Sequence, residues 1–166
     1  TPTTSFGIGE ESSAVWRAQV LAGDGSAFRV LPRGGEPIDV QWTHCGQHNV
    51  ETALSALVAA RHAGVAPELS AQALAHFQGV KRRLELLGSP GDVAVYDDFA
   101  HHPTAIATTL QGLRARAGEG RVIALVEPRS NTMRMGEHRA QLASATAEAD
   151  RVYWFQPPGM DWSLES

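Results

Sequence analysis

Cysteine is nearly absent: the 166 residues hold one, Cys45, which excludes an internal disulfide and any metal site built from several thiolates. This fits a reducing compartment. Lysine is as scarce, with Lys81 alone beside thirteen arginines, a skew that reads as genome composition. The formal net charge is −4, which argues against a general nucleic-acid binder with its basic face. No apolar run approaches the ~20 residues of a membrane span, so no membrane insertion is expected. The opening Thr-Pro-Thr-Thr-Ser has neither the basic start nor the apolar stretch of a signal peptide, and without an initiator Met it reads as a cut chain. Two catalytic signatures are missing as well. There is no Gly-x-x-x-x-Gly-Lys-Ser/Thr loop to cradle a triphosphate and no Gly-x-Ser-x-Gly elbow. What is present is 43% apolar and 19% charged residues, enough for a buried core in one ordinary domain or two small ones. The expectation is a soluble, cytoplasmic α/β protein, or a piece of one.

The first third reads as strands at residues 14–21, 27–31 and 37–42, a meander of hairpins whose first turn is Ala22-Gly23-Asp24-Gly25-Ser26. The period then changes. Apolar residues at 50, 53, 54, 57, 58 and 60 carry the signature of an amphipathic helix, with Gly64 as its stop. A second helix is expected from Ser70, a good N-cap, to about residue 78. Further on, strands at 93–96, 122–126 and 152–155 alternate with helices at 103–117 and 137–147. That order predicts parallel pairing with right-handed crossovers. The break at Gly88-Ser89-Pro90-Gly91 predicts two domains, 1–88 and 89–166, with the boundary there or within a few residues of Arg83. In such a sheet, ligands gather at the carboxyl ends of the strands, where the loops 97–103, 127–132 and 156–158 lie.

Four stretches could carry chemistry. Gly46-Gln47-His48-Asn49 opens the first helix: Asn49 is either an N-cap accepting from the Thr52 amide or an amide that meets a purine edge. Lys81-Arg82-Arg83 is either a solvated turn or an extended segment, in which Arg82 and Arg83 point opposite ways and one works on a phosphate or ribose. Asp97-Asp98-Phe99-Ala100-His101-His102-Pro103 invites a metal, but adjacent His residues rarely share one ion and no further ligand follows at the right spacing. There His102 caps the helix that starts at Pro103, or a carboxylate at the strand end bonds a ribose. Glu127-Pro128-Arg129-Ser130-Asn131-Thr132-Met133-Arg134 groups guanidinium, hydroxyl and amide donors suited to a carboxylate, or is an ordinary surface loop.

Taken together, Gly46-x-His48-Asn49 before an Ala-rich helix, Arg82-Arg83-Leu84-Glu85, and Asp97-Asp98-Phe99-Ala100-His101-His102-Pro103 resemble the Mur ligase family, the ATP-dependent amide ligases of bacterial cell-wall precursors. The Asp-Asp string resembles its muramate branch. The loop from Glu127 to Met133 resembles the members that join UDP-N-acetylmuramate to recycled L-alanyl-γ-D-glutamyl-meso-diaminopimelate. The resemblance implies residues 1–88 as the end of a central ATPase domain and 89–166 as the start of a Rossmann-like C-terminal domain. The P-loop and the Mg²⁺ ligands would then lie outside the fragment, which alone would be inactive and would need the other domains of the same ligase. It implies ATP contacts at Asn49, Thr52, Arg83 and Asp98, with Thr52 standing where the family usually has a second Asn. It implies peptide contacts at Arg129, Ser130 and Asn131, and places His48, His101 and His102 along the site. The implied chemistry activates the muramoyl carboxylate as an acyl phosphate, which the peptide amine attacks with loss of phosphate. The rival readings are a ligase that adds free L-alanine to UDP-N-acetylmuramate and a non-catalytic nucleotide-binding module.

Overall fold

The computed structural model describes residues 3–9, 11–160 and 162–163, and the chain divides into two compact units, Thr1–Gly79 and Val80–Ser166. In the first unit, strands β1 (Phe6–Ile8), β2 (Trp16–Val20), β3 (Ala27–Pro32) and β4 (Ile38–Gln41) form one sheet in that order. β2, β3 and β4 are the expected antiparallel meander, with Ala18 opposite Val30 and Phe28 opposite Val40. Period-two alternation therefore turns Ala18, Phe28, Val30 and Val40 to one face, where all are buried. Helix α1 (Gln47–His62) covers that face with Val50, Ala53, Leu54, Leu57 and Val58, the residues its apolar period singles out.

Two features of this unit differ from expectation. β1 joins the sheet in parallel with β2, a three-residue strand too short to show alternation. Helix α2 (Pro67–Ala75) begins before Ser70, because Pro67 occupies the first turn where a missing N–H costs nothing. Ser70 is instead inside the helix, buried, its hydroxyl donating to the Ala66 carbonyl at 3.4 Å.

The second unit begins with a hairpin of β5 (Glu85–Gly88) and β6 (Val95–Asp97), antiparallel, with a 3₁₀ turn at Pro90–Asp92 between them. Because β5 is hydrogen-bonded to β6, it belongs with the second unit. The division falls between Gly79 and Val80, within a few residues of Arg83. Helix α3 spans Pro103–Ala117 as expected, followed by β7 (Ile123–Val126), α4 (Asn131–Arg134), α5 (Arg139–Ala145) and β8 (Arg151–Trp154). β7 and β8 pair in parallel across α4 and α5, the expected crossover. β6, expected as a third strand of that series, takes β5 as its partner. Ile106 and Leu110 of α3 bury against Val122, Ala124, Met133, Leu142 and Ala145. Among the described residues no helix is long and apolar enough to cross a membrane.

Candidate functional site

In the first unit, the candidate residues sit on the first turns of α1. Gly46 is the N-cap, at φ +93°, and its carbonyl accepts from the Asn49 amide at 3.0 Å. A Cβ at Gly46 would stand 2.6 Å from His48 Cε1, so both backbone and ring require glycine there. Asn49 is thus one turn inside the helix and is not the cap. Its Nδ2 donates back to the Cys45 carbonyl at 2.6 Å, which fixes the amide and leaves Oδ1 as acceptor. Thr52 likewise turns its hydroxyl to the His48 carbonyl at 2.9 Å.

In the second unit, Arg82-Arg83-Leu84 is a turn and not an extended segment: Arg82 lies at φ +59° and Leu84 at φ +50°. Extended alternation therefore does not operate, and the two arginines are sorted differently. Arg82 is committed. Its Nε meets Asp97 Oδ2 at 3.2 Å, its guanidinium carbon lies 5.1 Å from the Phe99 ring centroid, and its amide donates to Glu85 Oε2 at 2.8 Å. Arg83 is exposed, and its side chain has no hydrogen bond or ion pair among the described residues.

Asp98 holds this turn. Its Oδ2 accepts from the Leu84 amide and its Oδ1 from the Ala100 amide, each at 2.7 Å, with the Thr109 hydroxyl at 3.4 Å from Oδ1. The carboxylate stabilises a backbone that a leucine at positive φ would otherwise leave, at a strain of ~1–2 kcal/mol. Oδ1 thus accepts twice, while Oδ2 keeps a second lone pair.

The two adjacent histidines take different tautomers. His101 Nδ1 lies 2.9 Å from the Phe99 carbonyl and must donate, leaving Nε2 to accept. His102 Nδ1 accepts from the Thr104 amide at 3.2 Å and so caps α3, as read from Pro103. The His102 ring also meets His138 edge-on, with centroids 4.5 Å apart.

The loop after β7 joins this cluster through Ser130, whose hydroxyl lies 3.4 Å from the His101 carbonyl and accepts from the Met133 amide at 3.3 Å, capping α4. Arg129 is 65% exposed and reaches Glu127 Oε1 only at 3.5 Å, so its guanidinium is open to a ligand. Asn131 is exposed beside it. The second unit thus gathers Arg83, Asp98, His101, His102, Arg129, Ser130 and Asn131 on connected loops at the ends of its strands. Among the described residues no three His, Cys, Asp or Glu are grouped to hold a metal ion.

Residues 82–164 match the family model described as Mur ligase, glutamate ligase domain. The chain belongs to the Mur ligase family. The UDP-N-acetylmuramate–L-alanyl-γ-D-glutamyl-meso-2,6-diaminoheptandioate ligase of Escherichia coli (strain K12) is 46% identical over 158 residues, covering 95% of this chain and 34% of that protein. A murein peptide ligase of Psychrobacter arcticus 273-4, known by crystal structure, is 42% identical with a TM-score of 0.64, over 96% of this chain and 33% of that one. The UDP-N-acetylmuramate–L-alanine ligase of Phenylobacterium zucineum (strain HLK1) is 39% identical over 133 residues, 77% of this chain and 28% of that protein. The chain spans about a third of the length of the curated relatives it matches. For a Mur ligase unit, two arrangements went unread in the sequence: Arg82 as the partner of Asp97 and Phe99, and the fastening of α4 by Arg134 and Trp162. The first carried a signal, since an acid two residues before an aromatic on a strand end can engage one nearby guanidinium on both sides. Trp162 had none, being a lone aromatic far along the chain.

Proposed function

We propose that this chain is part of an ATP-dependent ligase that joins UDP-N-acetylmuramate to L-alanyl-γ-D-glutamyl-meso-diaminopimelate, a cytoplasmic step in the recycling of peptidoglycan. The observation that carries this reading is the loop after β7, where Arg129 presents an exposed guanidinium with Ser130 and Asn131 beside it. A tripeptide brings several carboxylates and free alanine one, so an open forked donor there favours the peptide. The 46% identity to a ligase of that description, against 39% to an alanine-adding one, points the same way. The first unit would be the end of the central ATPase domain and the second the start of the C-terminal domain.

ATP, when bound, supplies the phosphoryl group that activates the muramoyl carboxylate; the peptide amine then forms the amide as phosphate leaves. Within this chain, Asn49 offers a fixed amide whose Oδ1 can accept from an adenine edge, and Thr52 a hydroxyl one turn on. Arg83 supplies an uncommitted cation to phosphate or ribose, and Asp98 offers the remaining lone pair of Oδ2 to a ribose hydroxyl while holding the turn. Arg129 receives a peptide carboxylate. These groups mainly position the reactants and stabilise charge.

The test is a side-by-side ligation assay with the complete protein, UDP-N-acetylmuramate, ATP and either acceptor. The tripeptide is the expected substrate. Better use of free L-alanine replaces this reading with the alanine-adding ligase, and no ligation of either replaces it with a nucleotide-binding module.

A further inference from the structure

Helix α4 is a single turn, Asn131–Arg134, too short to persist through its own hydrogen bonds. Yet it follows directly on Arg129 and starts at Asn131, so its placement sets theirs. Three fasteners hold it. Met133 within it and Pro128 just before it are fully buried. Trp162 Nε1 donates to the Met133 carbonyl at 2.9 Å, with the Arg139 guanidinium 5.7 Å from its ring centroid. Arg134 Nη2 donates to the carbonyls of Pro158 and Gly159, at 3.3 and 3.1 Å, tying the helix to the loop after β8.

Two glycines clear the way for these contacts. Gly136 lies at φ +80°, and a Cβ there would sit 2.9 Å from Trp162 Cδ1; Gly159 lies at φ +76°, and a Cβ there would sit 3.1 Å from Arg134 Nη2. Arg134 is half-buried and its Nη2 bonds go to main-chain oxygens, whereas Arg129 in the same loop is open. One cation braces and the other binds.

We infer that Arg134 is a positioning residue for the peptide acceptor, acting through the Pro158-Gly159 carbonyls to hold Arg129 and Asn131 in place. This rests on the reading that Arg129 receives a carboxylate of that acceptor. Backbone carbonyls need a donor but not a fork, so lysine should serve at 134 where it fails at 129.

The complete protein is compared with Arg134→Ala, Arg134→Lys and Gly159→Ala. Hydrogen exchange of the amides of residues 130–136 and steady-state kinetics are both measured. Arg134→Ala is expected to speed exchange in that segment and raise KM for the tripeptide, each about tenfold, the worth of a hydrogen bond from a charged donor. Exchange in β7 and β8, kcat, and KM for UDP-N-acetylmuramate should stay near wild type. Arg134→Lys should recover most of the loss. Gly159→Ala, which keeps Arg134 but crowds it, should reproduce it. Unchanged exchange in 130–136 overturns the inference, as does an equal rise in every KM, or an Arg134→Lys variant as impaired as the alanine. If the wild-type protein prefers free L-alanine, the functional reading fails separately, and the exchange data alone decide whether Arg134 holds α4.

Discussion

Arg83 and Asp98 stand next to one another in function by family resemblance, but the structure gives them opposite energetic roles, and substitution should separate them. Removing the Asp98 side chain deletes two hydrogen bonds from the Leu84 and Ala100 amides, each 2.7 Å long. Hydrogen bonds to a charged group are worth ~1.5–3 kcal/mol net. Asp98 is only half-buried, which puts each at the low end, so Asp98→Ala loses about 3 kcal/mol of interaction. Against this, a freed Leu84 relaxes from φ +50° and returns about 1 kcal/mol of strain. The expected net loss is about 2 kcal/mol. Asp98→Asn keeps one acceptor oxygen and turns an N–H donor toward the other amide, so it should lose about half as much. Arg83→Ala removes a side chain with no partner among the described residues and should change stability by less than ~0.5 kcal/mol. Urea denaturation of the complete protein, followed by circular dichroism and by protection of the Leu84 amide, reads these values. Arg83→Ala should instead impair ATP use in an otherwise normal protein. The reasoning fails if Asp98→Ala is as stable as wild type, or if Arg83→Ala is destabilised as much as Asp98→Ala.

Arg129→Lys keeps the charge but not the fork, and in ligation kinetics it should weaken use of the tripeptide while leaving UDP-N-acetylmuramate binding near wild type; equal weakening of both would refute the assignment. Gly46→Ala forces a Cβ to within 2.6 Å of the His48 ring at φ +93°, and its thermal unfolding should show a loss of at least ~2 kcal/mol from backbone strain alone. Arg114, with the Val122 amide, holds the Asp150 carboxyl below its ordinary value. A lowered folded value means that the contribution is present above the unfolded value near ~3.9 and is lost as pH falls through the folded one. Asp150→Asn should therefore melt below wild type at pH 7, and the gap should narrow in an acid series as the pH falls below the ordinary carboxylate range; a gap constant with pH would show that the charge is idle.

Much of the fold was legible because burial writes a period. The spacing of Val50, Ala53, Leu54, Leu57 and Val58 marks α1, and the meander follows from alternation between turn clusters. The His102 cap was legible from Pro103, which can start a helix at no cost. The missed elements are those too short to have a period, β1 and α4. Gly88-Ser89-Pro90-Gly91 read as a linker because Gly and Pro punctuate hairpins and linkers alike; only the pairing of β5 with β6 separates the two. The alternation inferred for Arg82 and Arg83 assumed extended backbone, and the Asp98 carboxylate, a long-range partner, overrides it.

The composition of the site loops does not by itself say which polar groups are free to act. In Asp97-Asp98-Phe99-Ala100-His101-His102 nearly every polar side chain is spent on the protein: Asp97 on Arg82, Asp98 on two amides, His101 on the Phe99 carbonyl, His102 on the Thr104 amide. In Arg129-Ser130-Asn131, Ser130 is spent on the Met133 amide and Arg129 has only the long ion pair with Glu127. A loop whose own groups satisfy its backbone arrives at the ligand already ordered, and the ordering cost falls on folding rather than on binding. The exposed, loosely held groups, Arg83, Arg129 and Asn131, are then few, and each is mounted on a braced turn. That pairing of committed with uncommitted residues explains why a motif can be dense in charge while only a few of its side chains stay free for a ligand.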